Sequence, residues 1–381
     1  MSKEIKILHI IDSLGLGGAQ TVVKGVFEFQ KNNKNIFLFA LRNRDILMEV
    51  KHANVQIFNS SKKYSFAPLF ALRDLIKREE ISILHCHLFK SQIFGLLLKK
   101  IWFRNIKLIF HEHGEIFENH ITYILFMRAS RSTINKIIAV SNATKENLTA
   151  KAGIKENKIQ VLYNFVDLNK YNKKNITWSI EEERKKLGIG KDELVIGFVG
   201  RLAKVKGCEY LIRSLPYLYF PYKVIIAGNG SEKNNLNELA KSLKVDNRII
   251  FLGYREDVVY IYHLLDVLVV PSIFESFGLS IVEAQCMFIP VIATDAIALN
   301  ELIKNKENGL LFELKNPIDL SEKIKLLYQD EELRSKLVKS GLESVKKFDL
   351  EDYIYNINKL YEDIGLYKTQ PDATRQGSSN L

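Results

Sequence analysis

The sequence predicts an α/β protein made of two doubly wound domains. Three observations carry that prediction. Short apolar runs alternate with helical stretches, the alternation comes in two series with a polar break between them, and 381 residues suit two domains at roughly 100–200 residues each.

The first series reads "IKILHII", "NIFLFAL", "ISILHCH", "KLIFHEH", "KIIAVS" and "IQVLYN" as buried strands. Continuous apolar strands, unlike alternating ones, indicate a parallel sheet covered on both faces. Around residues 165–190 the rhythm gives way to "NKYNKKNITWSIEEERKKLG", read as a hinge plus a helix. The second series follows: "ELVIGFVG", "YKVIIAG", "RIIFLG", "VLVVPS" and "PVIATD", each stopped by Gly, Pro, Ser or Asp. Two such series make two α/β domains. The last residues, "KTQPDATRQGSSNL", read as a loose polar tail.

Composition excludes several classes. Hydrophobic residues at 47% and aromatics at 10% are enough for two cores, and 20 Gly and 7 Pro are too few for a fibrous chain. Cys86, Cys208 and Cys286 are odd in number and form no CxxC pair, which argues against a disulfide framework and a structural zinc. The start "MSKEIKILHIIDS" is interrupted by His9 and Asp12 and reads as a first strand, not a signal peptide. No run reaches about 18 apolar residues, so no membrane-spanning helix is expected. The net charge of +11 is uneven: residues 1–175 hold 28 Lys/Arg against 14 Asp/Glu, and the remainder 27 against 30. A basic half suits an anionic membrane surface, an acidic substrate or nucleic acid. No nucleic-acid motif accompanies it, and no nucleic-acid partner is expected.

The glycine turn in "HIIDSLGLGGAQTVV" raises a dinucleotide fingerprint and then fails it. Gly15 and Gly17 fit G-x-G-x-x-G, but Gln20 stands at the third glycine, and the second strand supplies no ribose-binding acid before Asp45. Gly17 and Gly18 at a helix start could still hold an anion through backbone amides, or could simply make a tight turn.

In residues 269–295, Glu275 and Glu283 stand seven residues apart. Glu275 lies in a loop after a buried strand, and Glu283 on the helix starting near Gly278–Ser280. Ligands of open α/β sheets bind beyond the carboxyl ends of strands, where this loop falls. Arg201 and Lys206, in "GRLAKVKG", follow another strand end and suit a diphosphate, Lys as a point charge and Arg as a fork. Solvated surface charge is the plain alternative for all four.

Together, "GLGGAQ", "HEHG", "VSNATKENL", "VLYNFVDLNKY", "GFVGRLAKVKG", "FLGYREDV", "PSIFESFGLSIVEA" and "GLLF", in that order, resemble the retaining glycosyltransferases of family 4. The resemblance covers nearly all of residues 5–365 and departs at Gln20, where family members often carry Glu. It implies the GT-B fold, two Rossmann-like domains facing a central cleft: 1–170 for the acceptor, 171–345 for the nucleotide sugar, 346–366 as a C-terminal helix packing back toward the first domain, and 367–381 as tail.

The resemblance also implies roles. Arg201 and Lys206 match the positions that neutralise the donor diphosphate, with Gly17 and Gly18 closing over it. Glu283 matches the ribose ligand and Glu275 the acid beside the transferred sugar. The amides of Phe277, Gly278, Leu279 and Ser280 face sugar and phosphate, and Gly253 and Tyr254 fall at the base-binding loop. His113 matches an active-site histidine near the sugar. His111 and His113 are assigned to opposite faces of their strand, with His111 packed or solvated. His-x-His can bind metal, but the sequence shows no further ligand set beside it, and "HCHL" at 85–88 is read as structural. No metal or cofactor is expected.

The expected reaction moves a sugar from a nucleotide-diphosphate donor, UDP being the expected base, to a hydroxyl of a lipid-linked or oligosaccharide acceptor. Another GT-B enzyme, inverting or epimerising, and a non-catalytic sugar-nucleotide-binding subunit are the alternatives. The basic, aromatic segment 89–107 suits either a core helix or a membrane interface, and a cytoplasmic protein visiting the inner leaflet is expected.

Overall fold

The computed structural model describes residues 4–43, 48–60, 65–114, 120–172 and 176–365. Asp45 and the tail at 367–381 lie outside the described residues. The chain divides into two compact units: 1–139 with 148–162 and 354–381, and 140–147 with 163–353.

The first unit holds a seven-stranded sheet. Its strands are β1 (Ile7–Ile11), β2 (Ile36–Ala40), β3 (Val55–Ile57), β4 (Ile83–His87), β5 (Lys107–Glu112), β6 (Lys136–Ala139) and β7 (Ile159–Val161). All pair in parallel, in the order β3-β2-β1-β4-β5-β6-β7. The helices are α1 (Gly18–Phe29), α2 (Ala67–Glu79), α3 (Phe89–Ile101), α4 (Ile121–Ser130) and α5 (Asn142–Ala152), the last with its residues up to Asn147 in the second unit. Every residue of β1, β2 and β4 is buried, as continuous apolar runs require. α3 turns Phe94 and Leu98 into the core, with Phe89, Ile93, Leu96 and Leu97 partly buried against it. Gly95 permits that approach: a Cβ there would lie 2.4 Å from Cys86 Sγ.

The second unit holds a six-stranded parallel sheet. Its strands are β8 (Leu194–Val199), β9 (Tyr222–Ala227), β10 (Ile249–Gly253), β11 (Val267–Val270), β12 (Val291–Thr294) and β13 (Leu310–Phe312), in the order β10-β9-β8-β11-β12-β13. The helices are α6 (Ile180–Lys186), α7 (Cys208–Ser214), α8 (Lys233–Ser242), α9 (Val258–His263), α10 (Leu279–Cys286), α11 (Pro317–Gln329), α12 (Glu331–Val345) and α13 (Leu350–Gly365). Residues of α13 from Ile354 onward belong to the first unit.

α6 shows how local sequence sets an element. Ser179 Oγ accepts from the Glu182 amide, three acids occupy the first turn and three bases the last, so cap and charge both favour the helix. β3 and β13 are absent from the strands expected above. Each is three residues long at a sheet edge, too short to show a strand pattern, and β3 is largely exposed. The three cysteines are buried and free.

Strand order reverses between β1 and β4 in one sheet and between β8 and β11 in the other. Such switch points open a crevice beyond the carboxyl ends of the strands, where ligands of these sheets bind.

Candidate active site

In the second unit, the turn after β8 and the loop after β11 meet at the switch point. Gly207 makes the approach possible: it has φ +64°, and a Cβ there would lie 2.0 Å from the Pro271 carbonyl oxygen. The amide of Ile273 donates to the Val205 carbonyl at 2.8 Å, tying the two loops together. Lys206 Nζ then stands 2.6 Å from Glu275 Oε2, which also accepts from Ser272 Oγ at 3.2 Å. Both charged side chains are mostly covered, 26% and 14% exposed. Arg201, just past β8, is exposed.

α10 begins at Leu279, within the expected start, after Gly278 in a left-handed conformation at φ +100°. No side chain caps this helix, so its first-turn amides, those of Leu279 and Ser280 among them, remain for a ligand. Phe277 is buried. Glu283 lies one turn further. Tyr171 donates its hydroxyl to Glu283 Oε1 at 2.6 Å and Tyr262 donates to Oε2 at 2.7 Å. Burial raises the pKa of this carboxyl, and the two tyrosine bonds and Lys170 oppose the rise. Each oxygen keeps a second lone pair for a ligand hydroxyl. Gly253, at φ +69°, ends β10, and its carbonyl accepts the Gly228 amide at 2.7 Å; Tyr254 follows it, partly buried.

In the first unit, Gly17 and Gly18 are exposed and open α1. Gln20 folds back over the turn, and a Cβ on Gly17 would meet its Oε1 at 2.5 Å. At the end of β5, Glu112 is buried, accepts the Tyr123 hydroxyl, and accepts the Gly114 amide at 2.9 Å. His113 keeps part of its surface open, yet its surroundings lower its pKa to about 3 by burial.

The expectation that His111 and His113 face opposite ways is overturned. Their rings lie 4.0 Å apart, inclined by 24°. Residues two apart in a pleated strand share a face, so stacking is what the spacing dictates. The expectation that no further ligand set stands beside them also fails. His9 on β1 and His85 and His87 on β4 gather beside them, all buried.

Residues 16–170 match the family described as Glycosyltransferase Family 4, and residues 179–344 match Glycosyl transferases group 1. An uncharacterized glycosyltransferase of Methanocaldococcus jannaschii is 30% identical over 344 residues, covering 86% of this chain and 90% of its own. The chain belongs to the family 4 glycosyltransferases. It is an enzyme of the glycosyl-transferring class, EC 2.4. A UDP-Gal:alpha-D-GlcNAc-diphosphoundecaprenol alpha-1,3-galactosyltransferase of Escherichia coli is 27% identical, covering 96% of this chain and 98% of its own. The Anabaena protein HepE, solved with UDP and glucose, superposes with a TM-score of 0.84 at 23% identity, over 94% of this chain and 100% of that one. That likeness speaks for the fold, which is GT-B with two Rossmann-like sheets.

The geometry of the transferase adds residues that reading the sequence passes over. Tyr171 and Tyr262 hold Glu283, and Tyr361 joins the histidines. Tyr171 does close the motif "VLYNFVDLNKY", but nothing in that string says which acid it meets. Only the folded chain brings these pairs together.

Proposed function

We propose that this transferase moves a sugar, with retention of anomeric configuration, from a UDP-sugar to a hydroxyl of a lipid-linked or oligosaccharide acceptor. The observation that carries the reading is the Lys206–Glu275 pair at the switch point of the second sheet. A departing nucleoside diphosphate develops negative charge, and a fixed cation stabilises it as it forms. Lys206 and Arg201 supply that charge, helped by the open amides of α10. Held by Lys206 and Ser272, Glu275 presents its remaining lone pairs to hydroxyls of the donor sugar. Glu283 takes the ribose, Gly253 and Tyr254 the base, and His113 contacts the sugar. The acceptor hydroxyl attacks, its proton passes to the leaving phosphate, and no metal is needed. The name of the Escherichia coli relative supports both UDP and a lipid diphosphate acceptor.

The test is turnover of UDP-sugars with a diphosphoundecaprenol-linked acceptor, reading the product anomer by NMR. An α product from an α-linked donor, at a rate unchanged by EDTA, is expected. An inverted anomer overturns retention, and loss of rate with EDTA overturns the metal-free chemistry.

A cytoplasmic enzyme touching the inner leaflet fits the same acceptor. Among the described residues no helix is long and apolar enough to cross a membrane. Phe66 and Phe70 at α2 and Ile101 on α3 are exposed. The Arg73 guanidinium lies 5.6 Å from the Phe70 ring and 5.8 Å from that of Trp102. Exposed rings beside cations suit an anionic interface. Sedimentation with anionic but not zwitterionic vesicles is expected, and equal partition into both contradicts the reading.

A further inference from the structure

The histidines of the first unit lie at its own switch point, on β1, β4 and β5. They form one continuous hydrogen-bonded chain. His113 Nε2 meets His87 Nδ1 at 3.1 Å, and His87 Nε2 meets His9 Nδ1 at 3.0 Å. His9 Nε2 meets the Tyr361 hydroxyl at 3.3 Å, and that hydroxyl meets His85 Nδ1 at 2.6 Å. His85 Nε2 then meets His111 Nδ1 at 3.2 Å. Register explains the pattern. His9 pairs with His85 and His87 with His111, and each imidazole–imidazole bond runs diagonally to the residue two positions further along the next strand.

Linked rings lie edge to edge. For His9 and His87 the ring planes differ by 14° and the centroids stand 5.3 Å apart, against 3.0 Å between the bonded nitrogens. The excess is about one ring radius on each side, so the bond runs along the line of centroids within both planes. His85 and His111 behave alike, at 15° and 5.3 Å. Several of these nitrogens are close enough together to suggest a metal. A metal needs three lone pairs aimed at one point, whereas here the bonds join nitrogens in successive pairs, each of the four inner groups being linked to two different neighbours.

A neutral imidazole has one N–H and one bare nitrogen. In an unbroken chain of such rings every bond must therefore point the same way. Tyr361 has a single proton and stands between two imidazole nitrogens; donating to one and accepting from the other, it carries the chain in either sense, and the ends decide. His111 Nε2 is buried with no hydrogen-bond partner among the described residues. A stranded N–H is the costlier orphan, so this nitrogen is the bare one.

We propose that His87, His9, Tyr361, His85 and His111 are positioning residues that hold His113 in one tautomer, with its proton on Nδ1 and its Nε2 accepting from His87. His111 Nδ1–H donates to His85, His85 Nδ1–H to Tyr361, the Tyr361 hydroxyl to His9, His9 Nδ1–H to His87, and His87 Nδ1–H to His113. Reversing the chain would strand a proton on His111 Nε2, so the chain holds a proton arrangement and does not shuttle one. His113 then meets its substrate as a neutral hydrogen-bond donor toward an oxygen, not as a base. That consequence rests on the contact between His113 and the sugar given under Proposed function; the tautomer itself does not.

The experiment is 15N NMR of the whole enzyme labelled at its 8 histidines. Three N–N couplings across hydrogen bonds are expected, with His113 protonated at Nδ1. His113 protonated at Nε2, or missing couplings, overturns the proposal. So does a single equivalent of Zn2+ that abolishes the couplings and raises the melting temperature. His87→Leu is expected to release the tautomer and lower kcat about tenfold, the worth of roughly one hydrogen bond, with donor KM unchanged. His87→Gln, whose amide can both donate and accept, is expected to restore both tautomer and rate. If His87→Leu shifts the tautomer without changing kcat, the chain stands and the catalytic reading of His113 falls. If neither variant shifts the tautomer, the chain does not set it. The wild-type spectra decide even if the variants fail to fold.

Discussion

The two sheets share one strand order around a switch point and gather functional side chains there, beyond the strand ends in the second unit and largely within the strands in the first, yet the chemistry is opposite. The second unit offers fixed charge: Lys206 against Glu275, Arg201 in the open, and Glu283 gripped by two tyrosines. The first offers buried neutral rings. Burial lowers the pKa of His9 to about 3 and holds His85, His87 and His111 well below the usual histidine value. One site suits a ligand carrying its own negative charge, while the other suits orienting a substrate by directional hydrogen bonds. A shared fold fixes where ligands bind and leaves open what they are.

The largest effect should expose this contrast through acid. Each buried histidine is neutral in the folded chain and takes up a proton near 6.5 when unfolded. The unfolded state therefore binds more protons below that pH, and stability present above 6.5 is lost as pH falls toward about 3. Each histidine costs about 1.4 kcal/mol per pH unit in that window, so several together make the decline steep. Urea unfolding of the first unit, followed between pH 7.5 and 5, should show it, and a flat profile would place the imidazoles in water.

A smaller effect probes the charged site. Lys206→Met should cut kcat by about 10²–10³, the cost of one stabilising group at a developing charge. A loss confined to KM would make Lys206 a ground-state ligand only. Smaller again is Tyr262→Phe. It removes one hydrogen bond to a carboxylate, worth about 1.5–3 kcal/mol, and should raise the pKa of Glu283 further and weaken donor binding. Unchanged donor affinity would make the tyrosines packing residues alone.

The two sites were unequally legible in the sequence. The charged one follows a linear spacing, because Glu275 and Glu283 share a loop and its helix, and Lys206 follows a strand end. The histidine site depends on register between strands far apart in sequence, with His9 and Tyr361 separated by nearly the whole chain. "HCHL" and "HEHG" can be read, but their pairing cannot. The misassigned faces of His111 and His113 hid even the local clue. β3 and β13 were missed for a different reason: three residues are too few to show a repeat, and β3 is also mostly exposed.

If the switch point of the second unit holds the donor diphosphate, removing its covered cation weakens nucleotide binding. Calorimetric titration of UDP into wild type and Lys206→Met measures this. Binding about tenfold weaker in the variant is expected, the size of one charge-assisted hydrogen bond. Equal affinity in both proteins would mean that the diphosphate lies elsewhere.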